Sequence, residues 1–433
     1  MISFIFERTP LTYLVSSFWR DEAFSYLMAK QPLFSLLWST AHDSNPPLYY
    51  LLLKVWMTIF GTSELALRSL SFIFFWATIY LVFKILHEQL HLSAKKSYWY
   101  LLLVILNPLL HYYAFEARMY TMMAFLGTAL FYLLSKKNYS LYAISAVLAL
   151  LTHYFLALIL AFHFVYMVML HRHEWKLYIR PLLRAMVWYI PWIGVVLFAR
   201  PPVVQQFWIL PMTLNELFLI PSILLTGYEK SAWVTFAYLP HISAILWMLF
   251  AYFFYRTYHA KNKRSLLFLY GGWALLIPLC VGIISFWKPV FLPRYLIFSS
   301  VGLTILMIMS IESIHQKYAK LGTLLLVIVL MFSYADTQVR MRTKSPLKSV
   351  FTIMRHEMKP SDALYVTHEY DFHPAQYYLP NTKVFIYKKT YEELPWYVGK
   401  TLIHNDDVRF TLPIYPIRAF ILSNGTYTIQ SSR

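Results

Sequence analysis

The sequence predicts an all-α polytopic membrane domain over residues 1–335, followed by a small α/β domain over residues 336–433. Composition is the first reason, because 59% of the 433 residues are hydrophobic and only 13% are charged, whereas soluble domains carry roughly 25% charged residues. The second reason is a series of apolar segments long enough to cross a bilayer. The third is the change in character after residue 335, beyond which the chain is polar and its apolar runs are short.

Hydropathy predicts the membrane helices. The apolar segments of sufficient or nearly sufficient length are 65–86, 98–115, 119–134, 185–199, 233–255, 266–286, 295–311 and 321–334. The stretch 141–170 is too long for one span and short for two, so we predict a tight hairpin with Thr152, His153 and Tyr154 at its tip. The total is about ten membrane passes.

The uneven distribution of Lys and Arg between the loops orients the chain. Alternate loops are basic, and their residues are Lys84, Lys95, Lys96, Lys136, Lys137, Arg172, Lys176, Arg180, Arg184, Arg256, Lys261, Lys263, Arg264, Lys317 and Lys320. The positive-inside rule places these loops in the cytoplasm, and the alternation stays consistent only if 141–170 is a hairpin. The extracytoplasmic face then carries the C-terminal domain and the loops 19–63, 111–118, 152–154, 201–232 and 287–294.

Charge and cysteine usage exclude other classes of protein. The formal net charge is +18, but the basic residues are dispersed over cytoplasmic loops, so nucleic acid is not an expected partner. The single cysteine, Cys280, cannot form an internal disulfide. The N-terminus falls outside by the same parity, and residues 1–18 are too interrupted to span the membrane, so we expect a first helix to be missing or abbreviated. The expected location is the cell membrane.

The C-terminal domain is predicted to alternate strands and helices. Short apolar runs at 363–366, 383–387 and 419–422 are typical of strands. Helical segments are predicted at 347–358 and 374–379. This alternation favours a small α/β fold.

Acidic residues in the first outer loop form one half of a predicted site. Asp21 and Glu22 are neighbours, so on a helix they point about 100° apart and cannot both face one reacting atom. We predict that Asp21 is a general base and that Glu22 orients it or binds a hydroxyl or a metal. Alternatively, the helix dipole alone favours these acids. Asp43 could join them across the loop, although the sequence from Asp43 to Pro46 is also a common turn signal.

Basic and aromatic residues at the same interface form the other half. Arg118 and Arg294 each begin a span in loops that are otherwise poor in Lys and Arg, which fits clamps on a phosphate or diphosphate leaving group. Each arginine could instead extend to lipid headgroups, and His153 could be an ordinary interfacial residue. Several loops thus converge where a lipid-linked anionic substrate would dock. The residues predicted to bind it are Arg118, Arg294, Tyr295, Lys288, Glu116, His153 and Asp43.

Three blocks in order resemble the GT-C membrane glycosyltransferases, most closely the bacterial relatives of protein O-mannosyltransferases and aminoarabinose transferase. The blocks are Trp19-Arg20-Asp21-Glu22-Ala23-Phe24-Ser25, the run from Asn45 to Trp56, and the run from Gly61 to Arg68. Segments 116–120, 152–154 and 294–296 are similar to later motifs of the family, so the resemblance covers roughly residues 19–310. The first block is fairly specific, and the later ones are weak singly but fall in the right order.

The resemblance implies a GT-C fold, a sugar donor carried on polyprenyl phosphate, and inverting transfer with Asp21 as the catalytic base. Two departures affect these expectations. Family members usually have a span before the acidic loop, and many have His where this chain has Asn45. The sequence leaves open the sugar, the acceptor (a glycan, a lipid or a protein) and the need for a divalent cation such as Mg²⁺ or Mn²⁺; no other cofactor is implied.

Two other classes of protein explain fewer features of the sequence. A transporter or flippase of lipid-linked glycans should show paired repeats and ionisable groups at mid-span, whereas here the acids gather at one interface. An assembly protein would explain the outer domain but not the acidic pair. A glycosyltransferase that also contacts membrane lipids is therefore the favoured interpretation.

Overall fold

Helices make up most of the structure, a computed structural model that describes residues 10–43, 45–199, 208–229, 237–258, 264–341, 344 and 346–432. The α-helices are Arg20–Lys30, Leu33–Ala41, Leu48–Phe60, Glu64–Lys84, Ala94–Ile105, Pro108–Ala114, Tyr120–Ser135, Tyr139–Leu150, Ala157–Leu170, Trp175–Met186, Ile190–Ala199, Leu214–Thr226, Leu239–Tyr258, Arg264–Gly271, Ile277–Ile284, Ile297–Glu312, Lys317–Met341, Leu347–Glu357 and Phe372–Tyr378. Short 3₁₀ or π turns extend or link several of them. Features predicted at 1–9, 200–207 and 230–236 and at Lys261 and Lys263 lie outside the described residues.

Long apolar helices confirm a multi-pass membrane protein. Among the described residues, five helical segments are long and apolar enough to cross a bilayer, namely Glu64–Gln89, Trp175–Ala199, Arg264–Ile284, Pro293–Glu312 and Lys317–Arg340. Shorter apolar helices are Leu48–Phe60, Tyr120–Ser135, Tyr139–Leu150, Tyr154–Leu170 and Leu214–Thr226. The total of about ten passes and the orientation stay predictions.

The span Pro293–Glu312 is the central helix of the bundle. Its apolar window is 83% buried inside the protein, against 17% for the peripheral span Lys317–Arg340. Trp273 packs on it and donates a hydrogen bond from its indole Nε1 to the Phe298 carbonyl oxygen at 2.7 Å. Gly302 permits this approach, because a Cβ there would lie 2.6 Å from Trp273 Cγ. Side chains at the start of this helix are therefore held by a rigid, packed element.

Two predicted spans have a more detailed structure than hydropathy indicated. The segment 98–115 is divided into Ala94–Ile105 and Pro108–Ala114, because Pro108 lacks an N–H and disfavours helical conformation in the residue before it. Asn107 caps the second piece by accepting a hydrogen bond from the Leu110 N–H at 3.0 Å. The segment 141–170 consists of two helices separated by a turn at 151–153, which is the helix–turn–helix arrangement that the hairpin required.

A five-stranded sheet lies in the C-terminal part of the chain. Its strands are β1 (Ala363–Val366), β2 (Lys383–Tyr387), β3 (Val408–Arg409), β4 (Ala419–Ser423) and β5 (Thr426–Gln430), in the order β3-β2-β1-β4-β5. The first four are parallel, and β5 is antiparallel to β4. The structure has β1, β2, β4 and both helices where the sequence predicted them. The helix Lys317–Met341 continues past the predicted domain boundary at residue 335, and that boundary stays a prediction.

Tyrosine hydroxyls attach this C-terminal part to the N-terminal helical part of the chain. Tyr378 accepts a hydrogen bond from the Phe18 N–H at 2.8 Å and donates to Glu64 Oε1 at 2.9 Å. Tyr377 donates to the Thr62 carbonyl oxygen at 2.9 Å. The helix Phe372–Tyr378 also packs against Arg20–Lys30, the helix that carries the acidic pair.

Candidate active site

The acidic pair lies in the first turn of the helix Arg20–Lys30, where the helix dipole favours negative charge. Consecutive residues of a helix point about 100° apart. The structure accordingly separates the two carboxylates: Asp21 lines a cavity, whereas the Glu22 side chain is fully buried in the protein. The two acids therefore have different surroundings and can have different roles.

Asp21 is surrounded by guanidinium groups. Its Oδ1 accepts a hydrogen bond from Arg20 Nε at 2.8 Å, and its side chain is 14% exposed. Burial raises the pKa of Asp21, but the charges of Arg20, Arg118 and Arg294 outweigh burial and lower the pKa to about 2. Asp21 is thus ionised at neutral pH, so it can accept a proton, although such a carboxylate is a weak base.

Glu22 forms a buried ion cluster away from the cavity. Its oxygens accept hydrogen bonds from Arg68 Nε and Nη2 and from Lys344 Nζ, each at 2.7 Å. Glu22 Oε1 also accepts the Ala117 N–H at 3.0 Å. The sequence predicted that Glu22 orients Asp21 or binds a hydroxyl or a metal. The structure places the Glu22 side chain outside the cavity lining, bound to Arg68 and Lys344, and its role stays a prediction.

Arg118 directly follows Ala117, whose N–H donates to Glu22. Its side chain lines the same cavity as Asp21. The guanidinium is buried, and Nη1 lies 3.4 Å from the Asp21 carbonyl oxygen, 3.3 Å from Ser25 Oγ and 3.4 Å from Tyr50 OH. Its Nε is buried and has no hydrogen-bond partner among the described residues. A buried N–H donor without a partner is costly, so Arg118 carries one unsatisfied donor beside the cavity that it lines.

Arg294 enters the cavity from the start of the central helix. Its Nη1 lies 3.4 Å from Glu229 Oε2, and its Cζ lies 5.1 Å from the centre of the Trp208 ring. Its Nε, like that of Arg118, is buried and has no hydrogen-bond partner within the described part of the chain. Two buried guanidinium groups therefore border one cavity together with the Asp21 carboxylate.

The other predicted residues are distributed unevenly around this cavity. Tyr295 and Asp43 line it, and Asp43 Oδ2 accepts a hydrogen bond from Asn45 Nδ2 at 3.2 Å. His153 lies one layer behind, with its ring centre 5.1 Å from that of Tyr295. Burial, together with Arg118 and Arg294, lowers the pKa of His153 to about 3, so its imidazole is neutral. Glu116 is buried and Lys288 is exposed, and the structure brings neither into the cavity lining.

The C-terminal part contributes a wall that the sequence did not indicate. The segment Trp396, Tyr397, Val398 and Gly399 forms one wall of the cavity. Its sequence contains no recognisable motif. Gly399 has φ +80°, and a Cβ there would lie 2.5 Å from Phe24 Cδ2, so glycine permits this segment to approach the first helix closely. Trp208 and Tyr120 also line the cavity without having been predicted. Only their aromatic character could have suggested them, and it is shared by a fifth of the chain.

The charges of the cavity suit an anion better than a resident metal ion. No group of three or more His, Cys, Asp or Glu that could hold a metal occurs within the residues that the structure describes. The lining carboxylates are Asp21 and Asp43, and three arginines accompany them. Guanidinium groups compete with a divalent cation for the same carboxylate oxygens. A substrate that brings its own phosphate would complete the charge balance.

The helical bundle and the acidic, arginine-rich cavity, which the segment Trp396–Gly399 closes, belong to a polytopic membrane protein. Its fold is that of ArnT, a GT-C protein of known structure. The structure of ArnT from Cupriavidus metallidurans in the apo state has a TM-score of 0.65 at 12% identity, over 97% of this chain and 91% of that chain. ArnT bound to undecaprenyl phosphate has a TM-score of 0.58 at 13% identity, over 87% of this chain and 83% of that chain. At such identity the likeness shows the fold. No family model and no curated protein matches the chain.

Proposed function

We propose that this protein is an integral membrane glycosyltransferase that moves a sugar from a polyprenyl-phosphate donor to an acceptor hydroxyl. The observation that carries the proposal is the joint placement of Asp21, Arg118 and Arg294 around one cavity. A carboxylate is suited to accept a proton, and arginine matches phosphate geometry. The ArnT structure with bound undecaprenyl phosphate supports a lipid of this class as donor.

The proposed reaction is a single displacement. The acceptor oxygen bonds to the anomeric carbon, the bond from that carbon to the donor phosphate oxygen breaks, and the electron pair leaves with the polyprenyl phosphate. The acceptor proton passes to Asp21, and configuration is inverted. Because the pKa of Asp21 is about 2, the proton moves late, after bond formation has made the acceptor oxygen strongly acidic.

The two arginines stabilise the leaving group in this proposal. Negative charge grows on the phosphate as the bond breaks, and preorganised donors in a water-poor site are worth roughly 10²–10³ in kcat each. Arg118 and Arg294 are held in place before substrate arrives by Ser25, Tyr50 and Glu229. Little of the binding energy would therefore be spent on ordering them.

An adjacent groove has the character required for the lipid tail. A cavity of about 350 Å³ shares Trp208 with the active-site cavity, and its lining includes Pro293, which directly precedes Arg294 in the chain. Its walls include Met212, Leu219, Ile223, Phe291 and Leu292. An isoprenoid in this groove would place its phosphate beside Arg294. By the predicted orientation this site is extracytoplasmic.

The experiment is sugar transfer by purified protein in lipid nanodiscs, supplied with radiolabelled polyprenyl-phosphate sugars and an extract of the cell envelope as acceptor. Arg294→Lys keeps the charge but loses the planar fork, so turnover should fall clearly, and Arg294→Ala should reduce it further. Arg409→Ala, at an exposed residue of strand β3, is the matched control and should behave as wild type.

Two outcomes would contradict the proposal. Wild-type turnover in Arg118→Ala and Arg294→Ala would mean that these arginines only stabilise the helices. Translocation of the labelled lipid without cleavage of its sugar–phosphate bond would identify a transporter instead.

A further inference from the structure

A second cavity, which we call the outer cavity, adjoins the active-site cavity at Arg20. It has a volume of about 270 Å³. Its walls are Phe18, Trp19, Arg20, Leu347, Tyr370, Asp371 and Pro374. The outer cavity is thus formed jointly by the start of the acidic helix and by the C-terminal part of the chain.

Aromatic rings surround the side chain that the two cavities share. Arg20 Cζ lies 5.0 Å from the ring centre of Tyr370 and 5.9 Å from those of Trp19 and Tyr397. The hydroxyls of Tyr370 and Tyr397 are 3.5 Å apart, which links a wall of the outer cavity to a wall of the active-site cavity. Because Arg20 Nε donates to Asp21, a molecule in the outer cavity lies one side chain away from the proposed base.

The lining chemistry matches a neutral sugar. Aromatic faces pack against the apolar C–H face of a pyranose ring, and a carboxylate such as Asp371 accepts hydrogen bonds from neighbouring hydroxyls. The charge of Arg20 is already offset by Asp21, and Asp371 adds a negative charge, so an anionic acceptor is disfavoured.

We propose that the outer cavity is the acceptor subsite and that the acceptor is a neutral carbohydrate. One sugar packs on Tyr370 with its hydroxyls on Asp371, and the reacting hydroxyl extends past Arg20 to Asp21. This assignment rests on the proposed function, since it names the second substrate of the same reaction. A peptide acceptor is less suitable, because the described lining includes no strand that could pair with an extended backbone.

The test uses the full-length protein in nanodiscs and saturation-transfer NMR. The probes are maltotriose, mannotriose and chitotriose, with a Ser/Thr-rich peptide as the competing class. We expect at least one trisaccharide to bind wild type, with binding weakened about tenfold or more by Tyr370→Ala and also weakened by Asp371→Asn. Phe410→Ala removes an exposed aromatic side chain of the same part of the chain outside both cavities, so it should have no effect. A glycolipid that bears the same trisaccharide tests whether the acceptor is anchored in the membrane. Tighter binding of the glycolipid than of the free trisaccharide indicates an anchored acceptor, and equal binding indicates a soluble glycan. Either result supports the subsite.

Binding of undecaprenyl phosphate, measured by native mass spectrometry, separates this inference from the donor assignment. If both are correct, Tyr370→Ala and Asp371→Asn retain the lipid. Absence of trisaccharide binding in wild type, binding that neither variant weakens, or peptide binding that Tyr370→Ala abolishes would overturn the carbohydrate subsite. Retained trisaccharide binding without any lipid binding in wild type would overturn the proposed function instead.

Discussion

Replacing Glu22 with Gln should lower the stability of the folded protein and have a smaller effect on turnover. The side chains of Glu22 and Arg68 are fully buried, and Glu22 accepts hydrogen bonds from Arg68 and Lys344 at 2.7 Å and from the Ala117 N–H at 3.0 Å. Glutamine has the same size but is neutral, and one of its two polar atoms cannot accept. Removing one partner of a buried ion pair costs about 3–5 kcal/mol, a large share of a net stability of about 5–15 kcal/mol.

Thermal unfolding of the purified protein measures this effect, with Glu392→Gln, at an exposed acidic residue, as the control. We expect Glu22→Gln to lower the Tm by on the order of 5 °C, whereas Glu392→Gln should leave it nearly unchanged. Burial raises the pKa of Glu22, but Arg68 and Lys344 outweigh it and lower the pKa from 4.5 to about 2. The stabilisation is therefore present above pH 4.5 and is lost as the pH falls towards 2, so the difference from wild type should shrink over that interval.

A second substitution tests the physical cause. Lys344→Met removes the ammonium group that Glu22→Gln leaves without a counter-charge, so the double variant should recover part of the lost Tm. If Glu22→Gln instead keeps the wild-type Tm and loses turnover as completely as Asp21→Asn, the ion-cluster explanation is refuted and Glu22 takes part in the chemistry.

Three further predictions concern pH, orientation and metal. Because the pKa of Asp21 is about 2, kcat should not fall between about pH 7.5 and 5; an acid limb in that range that Asp21→Glu shifts would contradict the low pKa. In a Cys280→Ala background, Thr428→Cys should react with a membrane-impermeant maleimide in intact cells and Lys95→Cys should not, and the reverse pattern would invert the orientation. Turnover should survive EDTA, because the cavity arginines supply the positive charge that a cation would; a loss that Mg²⁺ or Mn²⁺ restores would refute this.

The sequence predicts those parts of the fold where one physical signal dominates. Hydropathy located the span Glu64–Gln89, and strand-forming apolar runs located β1, β2 and β4. The helix Leu48–Phe60 was not among the predicted membrane spans, because Lys54 interrupts its apolar run. In the structure, Lys54 Nζ donates to the Gln31 carbonyl oxygen at 2.7 Å, so its charge is satisfied by the end of another helix.

For the site, the sequence could group residues by membrane face but could not distinguish their surroundings. Asp21, Arg118 and Arg294 were grouped on one face, and the structure brings them to one cavity; their functional roles stay predictions. The ion cluster of Glu22 was beyond sequence reasoning, because Lys344 is 322 residues away in the chain. Contacts of such separation depend on how the C-terminal part docks, which no local pattern encodes.

Sugar transfer by Asp21→Asn tests the central claim most directly. The substitution keeps the size of the side chain and removes its basicity, so turnover of a labelled polyprenyl-phosphate sugar should fall by about 10²-fold or more. Binding of undecaprenyl phosphate, measured on the same preparation, should be retained, because Arg118 and Arg294 are unchanged. Near-normal turnover in this variant would contradict the claim, and the base would then have to be another acid of the cavity, such as Asp43.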